Sequence, residues 1–349
     1  MKKSLEFNPN CRLTCIGSLP FADGQQAVET IFKYSKDFPF WPQLPKRDPK
    51  ESMLTQFIEN FNFLEMSNQS ITVRKDYSKF LENFFSEVIN RNLDYFKISS
   101  EYALGLKIFF DFLGKNKPRC NFLKGQITGP FTLASGIKMP DGNNLLSDAQ
   151  LLDCLVSGLA MKAAWQVEEF KRLGYLALIF IDEPYLACFG SGFTPVLRED
   201  VIEITNRLID AIDEPDCLKG LHCCSNTDWS MLLETEIDIV SFDAFSYMER
   251  FVLYPDDLKR FLKKGGMIAW GIVPTSEFKP AITIKDLALK FEQGVNALIK
   301  KGLDRDIILA RSLLTPSCGM GTMSVEDTQA VLRLLSGLSE HLRDKFSLS

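Results

Sequence analysis

Histidine is scarce in this chain, with 2 residues in 349, and no uninterrupted apolar stretch is long enough to span a bilayer. A strong charge of one sign is missing as well. The formal net charge is -5, and Lys-rich pieces such as Lys259-Arg260-Phe261-Leu262-Lys263-Lys264 read as solvated helix faces, so neither nucleic acid nor a membrane is expected as a partner. There is no repeat, low-complexity tract or Gly/Ser linker, and the weak break at Lys115-Asn116-Lys117-Pro118 reads as a loop, so one domain over residues 1–349 is expected. The opening Met1-Lys2-Lys3-Ser4-Leu5-Glu6-Phe7 is charged, but no apolar segment with a small-residue cleavage site follows it, so no secretion signal is expected. The 9 cysteines, scattered along so long a chain, suit reduced thiols better than a disulfide framework, and the expected location is the cytoplasm.

What the chain does have is apolar content, at 46% of residues, and enough length to bury a sizeable core. Short β-branched or aromatic runs at residues 12–16, 95–99, 121–127, 176–181, 219–223, 238–242, 267–271 and 307–313 alternate with helical patterns such as 151–172 and 282–298. Strands alternating with helices imply a parallel sheet, and eight such units suggest closure into a (β/α)8 TIM barrel. The interval from Leu19 to Tyr95 is far longer than a simple crossover. It contains the cluster Phe38-Pro39-Phe40-Trp41-Pro42-Gln43-Leu44-Pro45 and reads as an insertion between the first and second strands, helical over residues 53–63, that covers one side of the barrel mouth.

The unusual residues fall at the carboxyl ends of these strands, where barrel enzymes do chemistry. In Leu221-His222-Cys223-Cys224-Ser225-Asn226, residues two apart on a strand point the same way, so His222 and Cys224 can share one ion while Cys223 faces the core. A buried cysteine is a common small hydrophobe, and a His-x-Cys pair arises easily by chance. Cys318 in Thr315-Pro316-Ser317-Cys318-Gly319 and Asp243 after residues 238–242 raise the count to four candidate zinc ligands from three segments. Ligands this far apart in sequence suit a catalytic site more than a closed structural one. Zinc in a thiolate-rich site keeps an incoming thiol deprotonated, which points to alkyl transfer onto a substrate thiol more than to hydrolysis.

Other groups would hold the substrate. Asp182 and Glu183 end the strand 176–181, and adjacent side chains diverge, so either can face the pocket while the other buttresses a neighbour or caps the next helix. Ser18, in Gly17-Ser18-Leu19-Pro20, offers a hydroxyl to a carboxylate or simply closes a turn. Glu101 is a candidate for a substrate ammonium or a solvated first-turn glutamate.

Assembled, these motifs resemble the catalytic C-terminal half of cobalamin-independent methionine synthase, in the superfamily that also holds uroporphyrinogen decarboxylase and the corrinoid-dependent thiol methyltransferases. The resemblance covers essentially the whole sequence through Ile16-Gly17-Ser18, Gly125-Gln126-Ile127-Thr128-Gly129-Pro130, Ile181-Asp182-Glu183-Pro184, His222-x-Cys224, the segment ending at Asp243, and Pro316-Ser317-Cys318-Gly319. It implies a barrel with zinc at its mouth that moves a methyl group onto the thiol of homocysteine, giving methionine. The family's His, Cys, Glu and Cys ligands map to His222, Cys224, Asp243 and Cys318, with aspartate in the glutamate's place. Ser18 and Asp182 match positions that hold the amino-acid part of homocysteine, and Glu101 matches the family's other ammonium-binding glutamate. No counterpart is expected here for the N-terminal barrel that helps the full-length enzyme bind polyglutamylated folate. The expected donor is therefore a methylated corrinoid, carried by a separate protein, or else methyltetrahydrofolate. Rival readings are transfer to another small thiol such as coenzyme M, a decarboxylase like the uroporphyrinogen enzyme, and a non-catalytic zinc or corrinoid-protein binding module.

Overall fold

The computed structural model of the chain describes residues 7–67, 70–190, 196–212 and 214–348; the charged opening, residues 1–6, lies outside them. Six parallel strands follow one another round a curled sheet in chain order: β1 (Phe122–Thr128), β2 (Leu176–Asp182), β3 (Cys217–Cys223), β4 (Ile239–Phe242), β5 (Met267–Val273) and β6 (Ser312–Pro316). They are buried on both faces, as strands between an interior and a shell of helices must be. Two extended segments carry the ring from β6 back to β1. Leu13 bridges Leu314, Ser18 bridges Gln43 and Phe40 bridges Lys124, all in parallel sense. Backbone hydrogen bonds run along these seams, from Thr14 N–H to the Leu314 carbonyl (3.0 Å), Gln43 N–H to that of Gly17 (3.1 Å) and Lys124 N–H to that of Pro39 (2.8 Å). Eight parallel strand positions with helices outside make the (β/α)8 architecture that the alternating pattern implied.

Three details differ from the sequence reading. The second strand position is filled by residues 38–43, not 95–99, and the first crossover is an ordinary helix, α1 (Gly24–Tyr34). The insertion therefore follows the second strand position instead of preceding it. Pro39 and Pro42 explain why this strand escaped notice: neither has an N–H, so the segment pairs only through isolated bridges. Residues 95–99 are apolar for another reason. Phe96 packs edge-on against Phe84 at 5.5 Å and Tyr95 against Phe96 at 5.0 Å, inside the insertion's own aromatic cluster. Residues 53–63 form turns after a short 3-10 turn at Pro49–Glu51, and residues 307–310 end the helix Arg305–Ala310, so β6 begins later than its apolar run.

The alternation of side chains along each strand positions everything that follows. Ile16, Phe38, Phe122, Leu178, Phe180, Leu218, Ile239, Met267, Ala269 and Leu313 form an apolar cluster of their own, the packed floor of the barrel interior. Counting on in twos from these residues, the next interior positions are Lys124 and Gln126 on β1, Asp182 on β2, His222 on β3, Ser241 on β4 and Thr315 on β6. Side chains of opposite parity join the larger core under the helices, Cys223 among them.

The helix α2 (Leu104–Asn116) presses on the second strand position through Gly105, where a Cβ would lie 2.1 Å from the Pro42 carbonyl oxygen. Gly114, on the same helix, has nothing within 4 Å of its would-be Cβ. Gly105→Ala should thus destabilise the protein by about 1–3 kcal/mol through overpacking. Gly114→Ala should stabilise it by about 0.5–1 kcal/mol through helix propensity. Urea unfolding of the two variants checks both signs, and equal responses would contradict the close approach at Pro42.

Candidate metal centre and its cavity

Register brings the interior groups of neighbouring strands side by side: Asp182 pairs with His222 across β2 and β3, and His222 with Ser241 across β3 and β4. His222 Nδ1 lies 3.0 Å from Ser241 Oγ, which fixes the ring, while Nε2 is buried without a hydrogen-bond partner. Cys224 stands two residues beyond on the same side, and Cys318 arrives on the loop after β6. One donor atom from each of His222, Cys224 and Cys318 lies within 4.8 Å of the other two, close enough for the three to hold a metal ion; among the described residues no other group of three does so.

The Cys318 loop is pinned on two sides. Ser317 N–H donates to the Val273 carbonyl at 2.8 Å, and Ser317 Oγ accepts from Thr275 N–H at 3.0 Å. Across the seam of the barrel, Met320 N–H donates to the Ser18 carbonyl at 2.9 Å and Gly321 N–H to Ser18 Oγ at 3.3 Å. A Cβ at Gly319 would come 2.2 Å from Ser18 Oγ, so the glycine after Cys318 is what lets the loop close on Ser18.

Charge inside the site is uneven. The neighbouring Cys318 thiol draws Cys224 down to about 4, with His222 adding to this and burial opposing it, while Cys318 itself is pushed up. Cys223 faces the other way, and burial pushes its thiol up to about 12. Asp182 is buried, and its Oδ1 has no partner. Burial raises it to about 6 against the pull of Lys124 and His222. Lys124 sits wholly inside the barrel, bonded to the Ile16 carbonyl and to Gln126 Oε1 (2.9 Å), and burial pulls its ammonium down to about 8.

Glu183 has the opposite parity and the opposite task. Its carboxylate accepts from Phe131 N–H (3.0 Å), Thr132 N–H (2.8 Å) and Thr132 Oγ1 (2.6 Å), closing the N-terminus of α3 (Pro130–Gly136). A Cβ at Gly129 would lie 2.1 Å from the Glu183 Cδ, which accounts for the glycine in Thr128-Gly129-Pro130. Of the adjacent carboxylates, then, Asp182 faces the barrel mouth and Glu183 braces it.

A cavity of about 370 Å³ opens at the metal-ligand cluster, and Ser18, Asp182, His222, Cys224 and Cys318 all line it. Asp243 and Glu101 do not. Asp243 is outside the group of three, and its Oδ1 accepts from Ser246 N–H at 2.8 Å to cap α4 (Ala244–Phe251). Burial raises its carboxyl. Glu101 is 65% exposed and paired with Lys50, because the strand that would have aimed it inward is not formed. The buried carboxylate that the insertion does contribute is Glu51, which accepts from Leu44 N–H (3.0 Å) and Leu104 N–H (3.2 Å) and faces Arg47. No short-range pattern marks Glu51 or its neighbour Met53. Ser241, by contrast, stands two residues beyond Ile239 on β4, and counting in twos would have found it.

No protein-family model matches the chain, and no curated protein matches it. Among solved structures it is similar to the GH113 beta-mannanase AaManA from Alicyclobacillus acidocaldarius, at 10% identity and a TM-score of 0.34, over 68% of this chain and 78% of that one. A likeness of that strength says nothing about chemistry. Among the described residues, no helix is long and apolar enough to cross a membrane.

The bracing role of Glu183 is directly measurable. Glu183→Ala strands two N–H groups and a hydroxyl in a buried setting and should cost about 2–3 kcal/mol, read by thermal or urea unfolding. Glu183→Gln keeps one acceptor and should cost less; an unchanged midpoint in both variants would contradict the role.

Proposed function

We propose that the chain is a zinc-dependent methyltransferase that moves a methyl group onto the thiol of homocysteine to form methionine. The observation that carries this reading is the His222, Cys224 and Cys318 cluster on the wall of a cavity, with the Nε2 of His222 buried and without a hydrogen-bond partner. The donor set fits zinc: one imidazole whose other nitrogen is held by Ser241, and two thiols of which one already favours the thiolate. Three protein ligands leave a fourth position for a substrate, and the reducing cytoplasm would keep both thiols available. The chemistry that zinc supplies when bound is Lewis acidity strong enough to keep a coordinating thiol ionised at neutral pH.

The chain's own residues account for the rest of the acceptor. No lysine or arginine lines the cavity, while Asp182 and Glu51 do. An unpartnered carboxylate oxygen on Asp182, with no basic side chain in the lining, suits an acceptor that carries an ammonium, such as homocysteine, and disfavours the sulfonate of coenzyme M. The unpartnered Oδ1 of Asp182 would receive that ammonium, and the Ser18 hydroxyl, which accepts from Gly321 N–H and keeps its own proton to donate, would receive the carboxylate. A decarboxylase reading is disfavoured by Arg12, which lies against the Pro9 carbonyl and Asp37 and is not among the residues lining the cavity. The methyl donor is taken to be a methylated corrinoid, delivered by a separate protein, or methyltetrahydrofolate.

Homocysteine added to zinc-loaded protein should add a sulfur neighbour in the zinc X-ray absorption spectrum, and labelled methyl groups should appear in methionine. A spectrum unchanged by homocysteine but altered by another thiol would overturn the acceptor. Cys318→Ser should lower zinc affinity by more than about 100-fold, since outer partners alone are worth about 10–100-fold. Cys223→Ser should leave zinc content intact. Ser241→Ala should fall between them at about 10–100-fold, because it removes the hydrogen bond that orients the His222 ring without removing a ligand. Equal zinc loss in the two cysteine variants would mean that the wrong sulfur of the adjacent pair is assigned.

A further inference from the structure

Lys124 is a charged group inside the barrel to which methyl transfer assigns no task. Its ammonium is wholly buried and donates to the Ile16 carbonyl and to Gln126 Oε1 (2.9 Å), both neutral acceptors, with the Phe180 ring centroid 4.8 Å away. Burying a charge against neutral partners is costly, and an apolar side chain of the same volume would fill the space as well. The Gln126 amide is itself held from behind. Its Nε2 donates to the Trp41 carbonyl at 3.2 Å, Trp41 Nε1 donates to Gln166 Oε1 at 2.8 Å, and Gln166 Nε2 returns to the Gln126 carbonyl at 3.0 Å. β1, the second strand position and the long helix Ala149–Arg172 thus fix Gln126, and Gln126 fixes Lys124.

What this platform carries is the turn Ile16-Gly17-Ser18. Gly17 has a φ of +150°, and a Cβ there would lie 2.9 Å from Gln126 Cδ and 3.0 Å from Gln43 Oε1, so the turn rests directly on two side-chain amides. A peptide is planar, so fixing the Ile16 oxygen also orients the Ile16–Gly17 amide, at a glycine whose backbone is otherwise permissive. Ser18 follows, lines the cavity, and accepts from Met320 N–H at its carbonyl and from Gly321 N–H at its hydroxyl. A series of contacts therefore runs from the Lys124 ammonium through Ile16 and Ser18 to the loop that bears Cys318. Resting on the methyltransferase reading above, we propose that Lys124 is a positioning residue: by holding the Ile16 carbonyl it sets the direction of the Ser18 hydroxyl, and with it the grip of the site on the carboxylate of an amino-acid thiol. Lys124 is not among the residues lining the cavity, so it acts through Ser18 and not on the acceptor itself.

Lys124→Met keeps the length of the side chain and removes its N–H donors, and two measurements on the zinc-loaded protein test the role without requiring turnover. The first is calorimetric titration with homocysteine and with aminopropanethiol, which is homocysteine without its carboxylate. Lys124→Met should weaken homocysteine by about tenfold and leave aminopropanethiol within about twofold, the loss of one hydrogen bond to a charged group. Ser18→Ala should remove the same preference, and the double variant should lose no more than either single one, because the two residues act in series. The second is hydrogen exchange, which should quicken by about tenfold over residues 318–323 in Lys124→Met while β3 and β4 exchange as before. Lys124→Gln, one atom shorter and still polar, should move both readouts in the same direction by less, and it decides the matter if Lys124→Met does not fold. The proposal is overturned by a carboxylate preference that survives in the folded variant, by equal weakening of the two thiols, or by exchange that quickens equally throughout the barrel. If the wild-type protein binds neither thiol, the methyltransferase reading falls, and the exchange of residues 318–323 alone then decides whether Lys124 holds the Ser18 turn.

Discussion

The site depends on the pleat of a parallel strand. Because side chains alternate with a period of two, the same parity that sends Leu178 and Phe180 into the barrel floor sends Asp182 to its mouth, and Leu218 and Gly220 lead on to His222 and then Cys224. A slip of one residue in either strand would exchange Asp182 for Glu183 and His222 for Cys223. The register is not free to slip, since the interior cluster would then face the helices and the larger core would face the interior. Burial of apolar surface on both sides of β2 and β3 is therefore what aims the polar groups.

Around that constraint the molecule leaves two polar atoms unsatisfied where they can meet a ligand. Nearly all buried polar atoms in folded proteins have partners, so an orphan is informative. Nε2 of His222 and Oδ1 of Asp182 are both of this kind, and both belong to residues that line the same cavity. The surrounding carboxylates are fully used: Glu183 closes a helix N-terminus, Glu51 ties the insertion to the barrel, and Asp243 caps the helix after β4. The groups with work left to do are thus separated from those that hold the frame.

Much of the frame was legible because β1 to β6 are short segments of strand length rich in apolar residues, separated by helical periodicity. The second strand position was not, since Pro39 and Pro42 remove the donors by which a strand is recognised, and an aromatic run at 95–99 imitated one. That single displacement also misplaced Glu101, whose inward aim required a strand beneath it. His222 and Cys224 were legible from parity, and Cys318 from a proline and glycine that hold it in a turn. Glu51 and Met53 were not, because they reach the cavity only through the fold of the insertion. Asp243 was recognised as lying at a strand end, but the capping bond to Ser246 that occupies its Oδ1 is local chemistry that a motif does not reveal.

What the three converging side chains bind decides the chemistry of the site. Zinc X-ray absorption on protein purified without added metal should show one zinc per chain with two sulfur neighbours and an imidazole. A protein without zinc, or one whose zinc shell survives unchanged when His222 and Cys224 are both replaced by alanine, would contradict it.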